Sequence, residues 1–495
     1  MKNEKAKFYI ILAIEILTVV LASVGIVERE AVLIMTGLLV FYFIFSKVED
    51  SLILFIVSIP LFVALPITGY DSMANWRILL VVLFLCLFFK QGISIKIIRD
   101  KFGKLRLREK FKHYPMEYLV IPFLVISVLS LFVATDLVVG IKKILFLINI
   151  VLLYIVIRNV IARNKEMAPK IIKAGAAAGV ISLIIGYSQL ISVFLTPLYN
   201  FWQWWAKNVI SVFYGINLSK LLAVSNTWFS YYSDSPPTLR IFSVFPDSHS
   251  SALFVIISLI FLTIMIANRK SKFLLAIVIV LSFLFLVFSG SRGVWVSAAL
   301  PFLIAIFLFF KNKEKNLKPF IGMLIIFILA FPVSSLLMSQ SYQGGDNDAS
   351  LAFKRAKSVI DLEELSVKSR MGIWKTSFQS VLKNPVLGVG IGNYPVVLDE
   401  DISAVKKGAS AHNLYLDVAS EMGLLGLVIL LLIFFQILKK SWKTNLIFAF
   451  FILWIFVYCL FDVVLLNDKV LLLFMTVLGI LYSYNNHDKK RLSFS

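Results

Sequence analysis

The residues best suited to chemistry in this chain are three arginines and one histidine that stand beside long apolar segments. Arg240 precedes one such segment, Arg292 lies in a short connection between two, and Arg370 opens a stretch with a helical pattern. His412 stands at the start of another apolar segment. Arginine offers a planar charged fork that fits phosphate oxygens, and histidine exchanges protons near neutral pH. Together they suit group transfer on an anionic lipid headgroup.

Each of these residues alone has a simpler explanation, which the sequence leaves open. A lone arginine near a membrane can extend its charged end to the interface, and a lone histidine can make a hydrogen bond at a helix start. It is their joint placement on one side of the membrane that favours a common site.

Three further polar residues are accessory candidates. Asp417 and Glu421 follow His412 at helical spacing, one and two turns along, so they could orient it. A role as polar helix or pore-lining residues is the favoured alternative for both. His249, in the sequence Asp247-Ser248-His249, has a role that the sequence leaves open.

Other chemistries find little support in the sequence. Cys86 and Cys459 lie inside apolar segments, where cysteine behaves as a small hydrophobic residue, so neither a disulfide nor thiol chemistry is expected. His249 and His412 lack a clustered third ligand, so no metal site is predicted. The glycines at 388–392 have no strand-to-helix setting for a phosphate loop and are predicted to form a tight turn beneath the outer face. We expect neither a metal nor a cofactor.

The elements that position these residues are membrane-spanning helices. Hydrophobic residues make up 60% of the chain, which contains 44 Phe, while charged residues make up only 16%; this excludes an ordinary soluble domain of 495 residues. A spanning helix needs about 20 apolar residues. We predict an all-α polytopic membrane protein with about fourteen transmembrane helices, or twelve with a re-entrant pair, over about 8–27, 31–46, 50–67, 77–90, 118–135, 140–157, 171–195, 248–266, 273–289, 294–310, 320–338, 413–438, 446–465 and 469–484.

The net charge is +21, and the positions of the positive residues along the chain indicate how the spans are oriented. With fourteen spans, the Lys and Arg clusters near residues 90–112, 158–165, 269–272, 311–318, 439–443 and 489–491 all fall on the side of the N-terminus. This pattern is typical of cytoplasmic loops, so both termini are predicted to be cytoplasmic. The first apolar segment resembles a signal peptide but is expected to be retained, and nucleic acid is not an expected partner.

Two long loops then fall outside, which divides the chain into five parts. These are helices 1–7 in 1–195, an aromatic extracytoplasmic loop in 196–247, helices 8–11 in 248–338, a large extracytoplasmic loop in 339–412, and helices 12–14 with a cytoplasmic tail in 413–495. The aromatic loop is expected to lie on the membrane as short amphipathic helices. Its aromatic residues could form an interfacial belt, or they could bind lipid or sugar. The large loop begins polar and has a helical pattern from Leu351 to Leu382.

Three motifs in this order resemble a known family. They are Ser289-Gly290-Ser291-Arg292-Gly293-Val294-Trp295, then Arg370-Met371-Gly372-Ile373-Trp374 continuing to Asn384–Tyr394, and His412-Asn413-Leu414-Tyr415-Leu416 with Glu421–Gly426. They resemble the O-antigen ligase and polymerase family of bacterial envelope glycosyltransferases. The resemblance covers about 236–436, and the N-terminal half agrees only in hydropathy and topology.

The resemblance implies a GT-C-like enzyme that moves a glycan from undecaprenyl diphosphate to an acceptor sugar hydroxyl at the outer face of the bacterial plasma (inner) membrane. Arg240 and Arg292 fall at the family's diphosphate-binding arginines, Arg370 fits the arginine of the large loop, and His412 falls at the histidine that assists the acceptor. The chain departs from the family directly after Pro246, the proline that follows Arg240. Many members have Asn at this point, whereas this chain has Asp247-Ser248-His249. The partners implied are the lipid-linked oligosaccharide, an acceptor glycan or glycolipid, the bilayer, a flippase and a chain-length regulator.

The chemistry agrees with this assignment of roles. The diphosphate leaving group gains charge that arginines can neutralise without a metal, and in-line attack by the acceptor hydroxyl inverts the anomeric centre. A retaining route would need a carboxylate nucleophile, for which Asp417 and Glu421 are the candidates. We predict a polymerase, with a ligase as the alternative. A lipid-linked sugar transporter is less favoured, because the inverted repeats typical of transporters are not visible.

Overall fold

A computed structural model describes residues 2–67, 73–91, 115–225, 228–232, 235–267, 273–312, 317–339, 365–398 and 410–483. Within these residues the regular structure is almost entirely helical, which agrees with the prediction of an all-α polytopic membrane protein. Part of the predicted helical stretch from Leu351 to Leu382 lies outside the described residues, but its second half is helical as expected.

The helices of the N-terminal half follow the predicted apolar segments. They are α1 (Lys2–Ser23), α2 (Ala31–Phe45), α3 (Val48–Val57), α4 (Trp76–Gln91), α5 (Pro115–Leu129), α6 (Leu137–Arg163) and α7 (Met167–Leu195).

Short elements occupy the aromatic segment. They are α8 (Leu198–Trp204), a π-helix (Trp205–Ile210), α9 (Ser211–Tyr214), α10 (Ile216–Ala223) and an antiparallel hairpin of β1 (Phe229–Tyr232) and β2 (Ser235–Leu239).

The C-terminal half returns to long helices. They are α11 (Ser248–Ala267), α12 (Phe273–Phe288), α13 (Arg292–Asn312), α14 (Lys318–Ser339), α15 (Leu365–Lys383), α16 (Leu414–Thr444), α17 (Leu446–Tyr458) and α18 (Asp468–Ser483).

Seven helical segments among the described residues are long and apolar enough to cross a membrane. They are Glu4–Ser23, Pro115–Val133, Leu137–Arg163, Met167–Leu195, Ser248–Ile266, Arg292–Lys311 and Leu414–Thr444. Several other apolar helices are shorter, so the total of fourteen crossings remains a prediction, as do the boundaries of the five parts.

The structure differs from the predicted span 50–67. The helix α3 ends at Val57 and is followed by a 3-10 turn at Ile59–Leu61 and by extended backbone. Pro60 within this turn has no N–H to donate. The Lys469 side chain contacts the same turn, donating hydrogen bonds to the carbonyl oxygens of Pro60 at 3.2 Å and Phe62 at 2.8 Å. Ten helical residues rise about 15 Å, about half of the hydrocarbon core, so α3 alone does not cross.

The aromatic segment also differs from expectation, because its short helices carry most of their aromatic rings inward. The rings buried in the protein are those of Phe201, Trp202, Trp205, Phe213, Trp228 and Phe229. Trp228 stacks on Phe242 with ring centroids 4.5 Å apart, and the Lys469 ammonium lies 4.3 Å from the Phe213 ring. Burial of these rings makes the segment a packed cap on the helices more than an interfacial belt.

The helix α11 lies at the centre of the molecule and is almost entirely buried. It packs against α7, α12, α17 and α18. The close approach of α7 depends on Gly179, since a Cβ there would lie 2.5 Å from the Cβ of Ser258. Small residues at such crossings let helices in a membrane approach closely. This packing fixes the end of α11 at which the polar residues gather.

Candidate functional site

The candidate site lies where several helices of the C-terminal half begin or end. His249 opens α11, Arg292 opens α13, His412 precedes α16, and Asp462 follows α17. The side chains of His249, His412 and Asp462 converge on one region, and Arg292 directly follows Ser291, which contacts His249.

His412 has an unusual backbone conformation that its neighbours hold in place. Its φ of 45° lies in the left-handed region. The preceding residue, Ala411, donates its N–H to the Asp417 carboxylate at 3.1 Å and accepts a hydrogen bond from the Trp374 indole at 3.0 Å. A histidine in this conformation costs about 1–2 kcal/mol relative to an ordinary one, and such strain is concentrated at functional sites.

The imidazole of His412 faces Asp462 with one edge. Its Nδ1 lies 3.9 Å from Oδ2 of Asp462 and is itself buried, with no hydrogen-bond partner among the described residues. The side chain as a whole is nevertheless 38% exposed. The exposed part of the ring therefore lies away from Nδ1, which leaves the Nε2 edge to face a substrate.

His249 belongs to the same site, which settles where this residue lies. Its Nδ1 is 2.8 Å from the Ser291 hydroxyl and 3.1 Å from the Tyr458 hydroxyl. These two hydroxyls are 2.9 Å apart, and Oδ2 of Asp462 lies 3.8 Å from the same Nδ1. The histidine thus connects the turn before Arg292 to the end of α17.

Asp462 is a negative charge shared by the two imidazoles. Burial raises the pKa of its carboxyl, but the side chain of His412, the neighbouring His249 and the charge of Arg370 more than offset this and lower the pKa to about 2. The carboxylate therefore stays ionised at every pH at which the protein would be assayed.

The loop between β2 and α11 brings Arg240 to the turn that carries Arg292. The backbone N–H of Ile241, next to Arg240, donates to the carbonyl oxygen of Phe288 at 3.1 Å. Phe288 ends α12, four residues before Arg292. The main-chain contact therefore places the two arginines at the same edge of the molecule.

A glutamine within α7 fixes the rest of this loop. Gln189 is fully buried, accepts the N–H of Ser243 at 2.8 Å and donates to the carbonyl of the same residue at 2.9 Å. Ser243 has a φ of 52°, so its left-handed backbone is held by the two amide bonds. The glutamine is a polar residue inside an apolar helix, a signal that could have identified it.

Electrostatic contacts connect the remaining arginines to the histidines. The charges of Arg240 and Arg370 both act on His249, and the charge of Arg370 also acts on Asp462. The structure therefore brings together Arg240, Arg370, His249 and His412, and Arg292 follows directly after Ser291, the partner of His249.

Asp417 and Glu421 both lie close to a lysine of another helix. Glu421 accepts a hydrogen bond from Lys143 of α6 at 2.6 Å, and the same ammonium lies 3.9 Å from Asp417. Both carboxylates are buried. Asp417 holds the backbone beside His412, whereas Glu421 joins α16 to α6. This arrangement favours positioning and structural roles over the role of nucleophile.

Asp247 explains the departure from the family pattern in structural terms. Its carboxylate accepts hydrogen bonds from the backbone N–H of Ser250 at 2.7 Å and from the hydroxyl of the same residue at 2.8 Å. It therefore caps the start of α11 and fixes His249. Burial, reinforced by the negative charge of Asp462, raises the pKa of Asp247 to about 6 despite these bonds.

The glycine run forms the tight turn that was predicted. Gly388 and Gly390 have φ of 66° and 93°, and a Cβ on Gly388 would lie 2.3 Å from the carbonyl oxygen of Ser420. The turn packs directly against α16, eight residues beyond His412, where only glycine fits.

No group of three or more His, Cys, Asp or Glu side chains within the described ranges is arranged to hold a metal ion. The two cysteines, Cys86 and Cys459, are buried and unpaired, as their apolar surroundings predicted.

The fold and the site define a class: a polytopic membrane protein with a cationic, histidine-containing site at its helix ends. Residues 277–431 match the family model described as O-antigen ligase. This match confirms the resemblance of that segment to the O-antigen ligase and polymerase family, whose members are glycosyltransferase-like. Arg292, Arg370 and His412 lie inside the matched segment, whereas Arg240 and Asp462 lie outside it. A search of curated proteins found no match.

Proposed function

We propose that the protein transfers an oligosaccharide from undecaprenyl diphosphate to an acceptor sugar hydroxyl and so polymerises the repeat units of a surface polysaccharide, such as an O-antigen, a capsule or an exopolysaccharide. The observation that carries this proposal is the convergence of arginine and histidine side chains at the ends of membrane helices. A diphosphate needs several positive charges, and a sugar hydroxyl needs a proton acceptor.

In this mechanism the arginines hold the donor and the histidine activates the acceptor. The guanidinium groups of Arg240, Arg292 and Arg370 bind the diphosphate and neutralise the charge that grows as it leaves, so the reaction as proposed needs no metal ion. The acceptor oxygen attacks the anomeric carbon from the opposite side and forms the new glycosidic bond. The old carbon–oxygen bond breaks, its electron pair leaves with the diphosphate, and the anomeric centre inverts.

The proton of the acceptor hydroxyl passes to His412. Its Nδ1 faces the Asp462 carboxylate, so a proton taken up at Nε2 produces an imidazolium beside a fixed negative charge. The carboxylate stabilises this ion and also orients the ring. Asp462 is thus a positioning residue that acts through His412 and does not touch the substrate.

The alternative within the family is a ligase, which moves a finished glycan to a terminal acceptor. Analysis of polysaccharide chain length in a deletion strain distinguishes the two. We expect loss of long chains with single repeats still attached to the final acceptor. Accumulation of lipid-linked glycan, with none attached to the final acceptor, would instead support the ligase.

We also propose that the site faces outward from the plasma (inner) membrane, with both termini in the cytoplasm, because the Lys and Arg clusters lie on the opposite side. Labelling with a membrane-impermeant thiol reagent tests this orientation. Ser341→Cys should be labelled in intact cells and Gly103→Cys should not. The reverse pattern would contradict the proposal, and the native cysteines should stay silent because both are buried.

A further inference from the structure

The helix α15 presents a row of large apolar side chains that no described part of the protein covers. Met371, Phe378 and Leu382 are 58%, 56% and 64% exposed. Their spacing of seven and four residues places them on one face of the helix, and Val386, just past its end, is 58% exposed. We call these four residues the apolar stripe. Such a contiguous surface marks a place of interaction.

The position of the apolar stripe follows from the contact between its end and α16. The carbonyl of Pro385 accepts the N–H of Leu424 at 2.8 Å, and Gly423 approaches the backbone of Val386 so closely that a Cβ would lie 2.2 Å from its carbonyl oxygen. The end of the stripe therefore lies level with Leu424.

Leu424 is also where the exposed apolar surface of α16 begins. The exposed apolar side chains of this helix are Leu424, Leu425, Val428, Leu431, Leu432, Phe435 and, near its end, Trp442. From Leu424 to Phe435 they extend over about 17 Å at 1.5 Å per residue, a length that fits within the hydrocarbon core. The ten residues before Leu424 are at most partly exposed. The apolar stripe is thus continuous with the lipid-facing surface of α16 at its outer limit.

Basic residues flank the apolar stripe on one side. Lys368 lies three residues before Met371 and Lys375 three before Phe378, and both lysines are exposed. Lysines beside an apolar helix face keep their charged ends among lipid headgroups while the face enters the acyl chains.

The flank of the apolar stripe away from these lysines carries contacts to the candidate site. The Trp374 indole holds the residue before His412, and the buried hydroxyl of Ser377 lies 2.6 Å from the hydroxyl of Tyr394. Arg370 acts on Asp462 from the same helix. One helix therefore carries both the apolar stripe and the contacts to the site.

We propose that α15 is an interfacial helix whose apolar stripe inserts among the acyl chains of the outer leaflet, and that this insertion keeps Arg370 and the His412 segment in their working positions. The partner is the lipid bilayer itself. The stripe requires lipid contact whatever the reaction is, whereas the coupling to the site rests on the proposed function.

A fluorophore attached to single introduced cysteines tests the insertion in proteoliposomes. Phe378→Cys and Leu382→Cys report the stripe, and Thr376→Cys, on the opposite side of the same helix, is the matched control. The native cysteines are buried, so their reaction with the fluorophore should contribute little background fluorescence. We expect lipids with a quencher on their acyl chains to quench the stripe labels several-fold more than the control, and aqueous iodide to do the reverse. Equal quenching by iodide at all three positions would overturn the proposal, as would stripe labels that neither quencher reaches, because a protein partner would then cover them.

The coupling is tested by the transfer rate of the double variant Phe378→Ser/Leu382→Ser. We expect this rate to fall several-fold in membranes, with the lipid quenching of a label at Met371→Cys lost in parallel. The apolar replacement Leu382→Phe and the control Thr376→Ser should retain the parent rate. Lost quenching with an unchanged rate would refute the coupling alone. Retained quenching would show that the stripe does not determine insertion.

Discussion

Replacing His412 with alanine is expected to abolish detectable polymer while the lipid-linked donor still binds. In the structure the buried Nδ1 of His412 faces Asp462, and the exposed edge of the ring is free to take the proton of the acceptor hydroxyl. General-base catalysis typically contributes about 100- to 10,000-fold, so the loss should exceed the sensitivity of a polymer assay. The measurement is a transfer assay with purified protein and a defined undecaprenyl-diphosphate donor, together with donor binding. Full activity of the alanine variant would refute the mechanism.

Two further variants separate the functions of this side chain. His412→Gln keeps a hydrogen-bonding group, so partial rescue would indicate that orientation of the acceptor suffices, and no rescue would indicate proton transfer. His412→Asn controls for the backbone, because asparagine tolerates the left-handed conformation that this position requires. It should fold normally and remain inactive.

Asp462→Asn tests the role of the carboxylate that faces Nδ1 of His412. The imidazolium formed in the proposed reaction would lose its counter-charge, so the maximal transfer rate should fall while the donor still binds. The measurements are the transfer rate and donor binding, compared with those of His412→Ala. An unchanged maximal rate would show that the carboxylate does not act through the histidine.

Arg292→Lys should cause a severe loss of transfer with normal membrane insertion. Lysine keeps the positive charge but loses the planar fork that contacts two phosphate oxygens at once. The turn that positions Arg292 should survive, since it depends on the buried Ser289 and Ser291, whose side chains do not change. The measurements are the transfer rate and the amount of protein in the membrane.

Arg240→Ala should be equally inactive and should bind the lipid diphosphate donor more weakly. Arg106→Ala, in the basic linker that is predicted to be cytoplasmic, is the control and should retain nearly the parent activity. If both Arg292→Lys and Arg240→Ala produce polymer at the parent level, the diphosphate does not bind at these arginines.

The helices could be predicted from the sequence because a bilayer enforces a simple rule, in which about 20 apolar residues form one spanning segment. The rule fails where the chain turns back inside the protein. The predicted span 50–67 breaks after Val57 because a buried lysine, Lys469, more than 400 residues away, binds the carbonyls that a helix would have used. The burial of Trp202 and Trp228 likewise depends on their packing against each other and on the stacking of Trp228 on Phe242, contacts that hydropathy does not record.

Some residues of the candidate site could likewise be predicted from the sequence, and others could not. The arginines and His412 could be identified because a charge beside an apolar segment is conspicuous. Asp462 was missed, although a lone acid near the end of the predicted span 446–465 was a visible signal. Its importance depends on the two histidines, which lie 213 and 50 residues earlier in the chain and meet it only in the fold. Lys143, the partner of Glu421, was missed for the same reason.

The left-handed backbone at His412 means that this position is not optimised for folding. Glycine would adopt the same conformation without the steric penalty, although it loses more conformational entropy on folding. Programmes that stabilise this protein for structural or industrial use should therefore exempt residue 412, because a substitution that relieves the backbone there also removes the imidazole on which the proposed reaction depends.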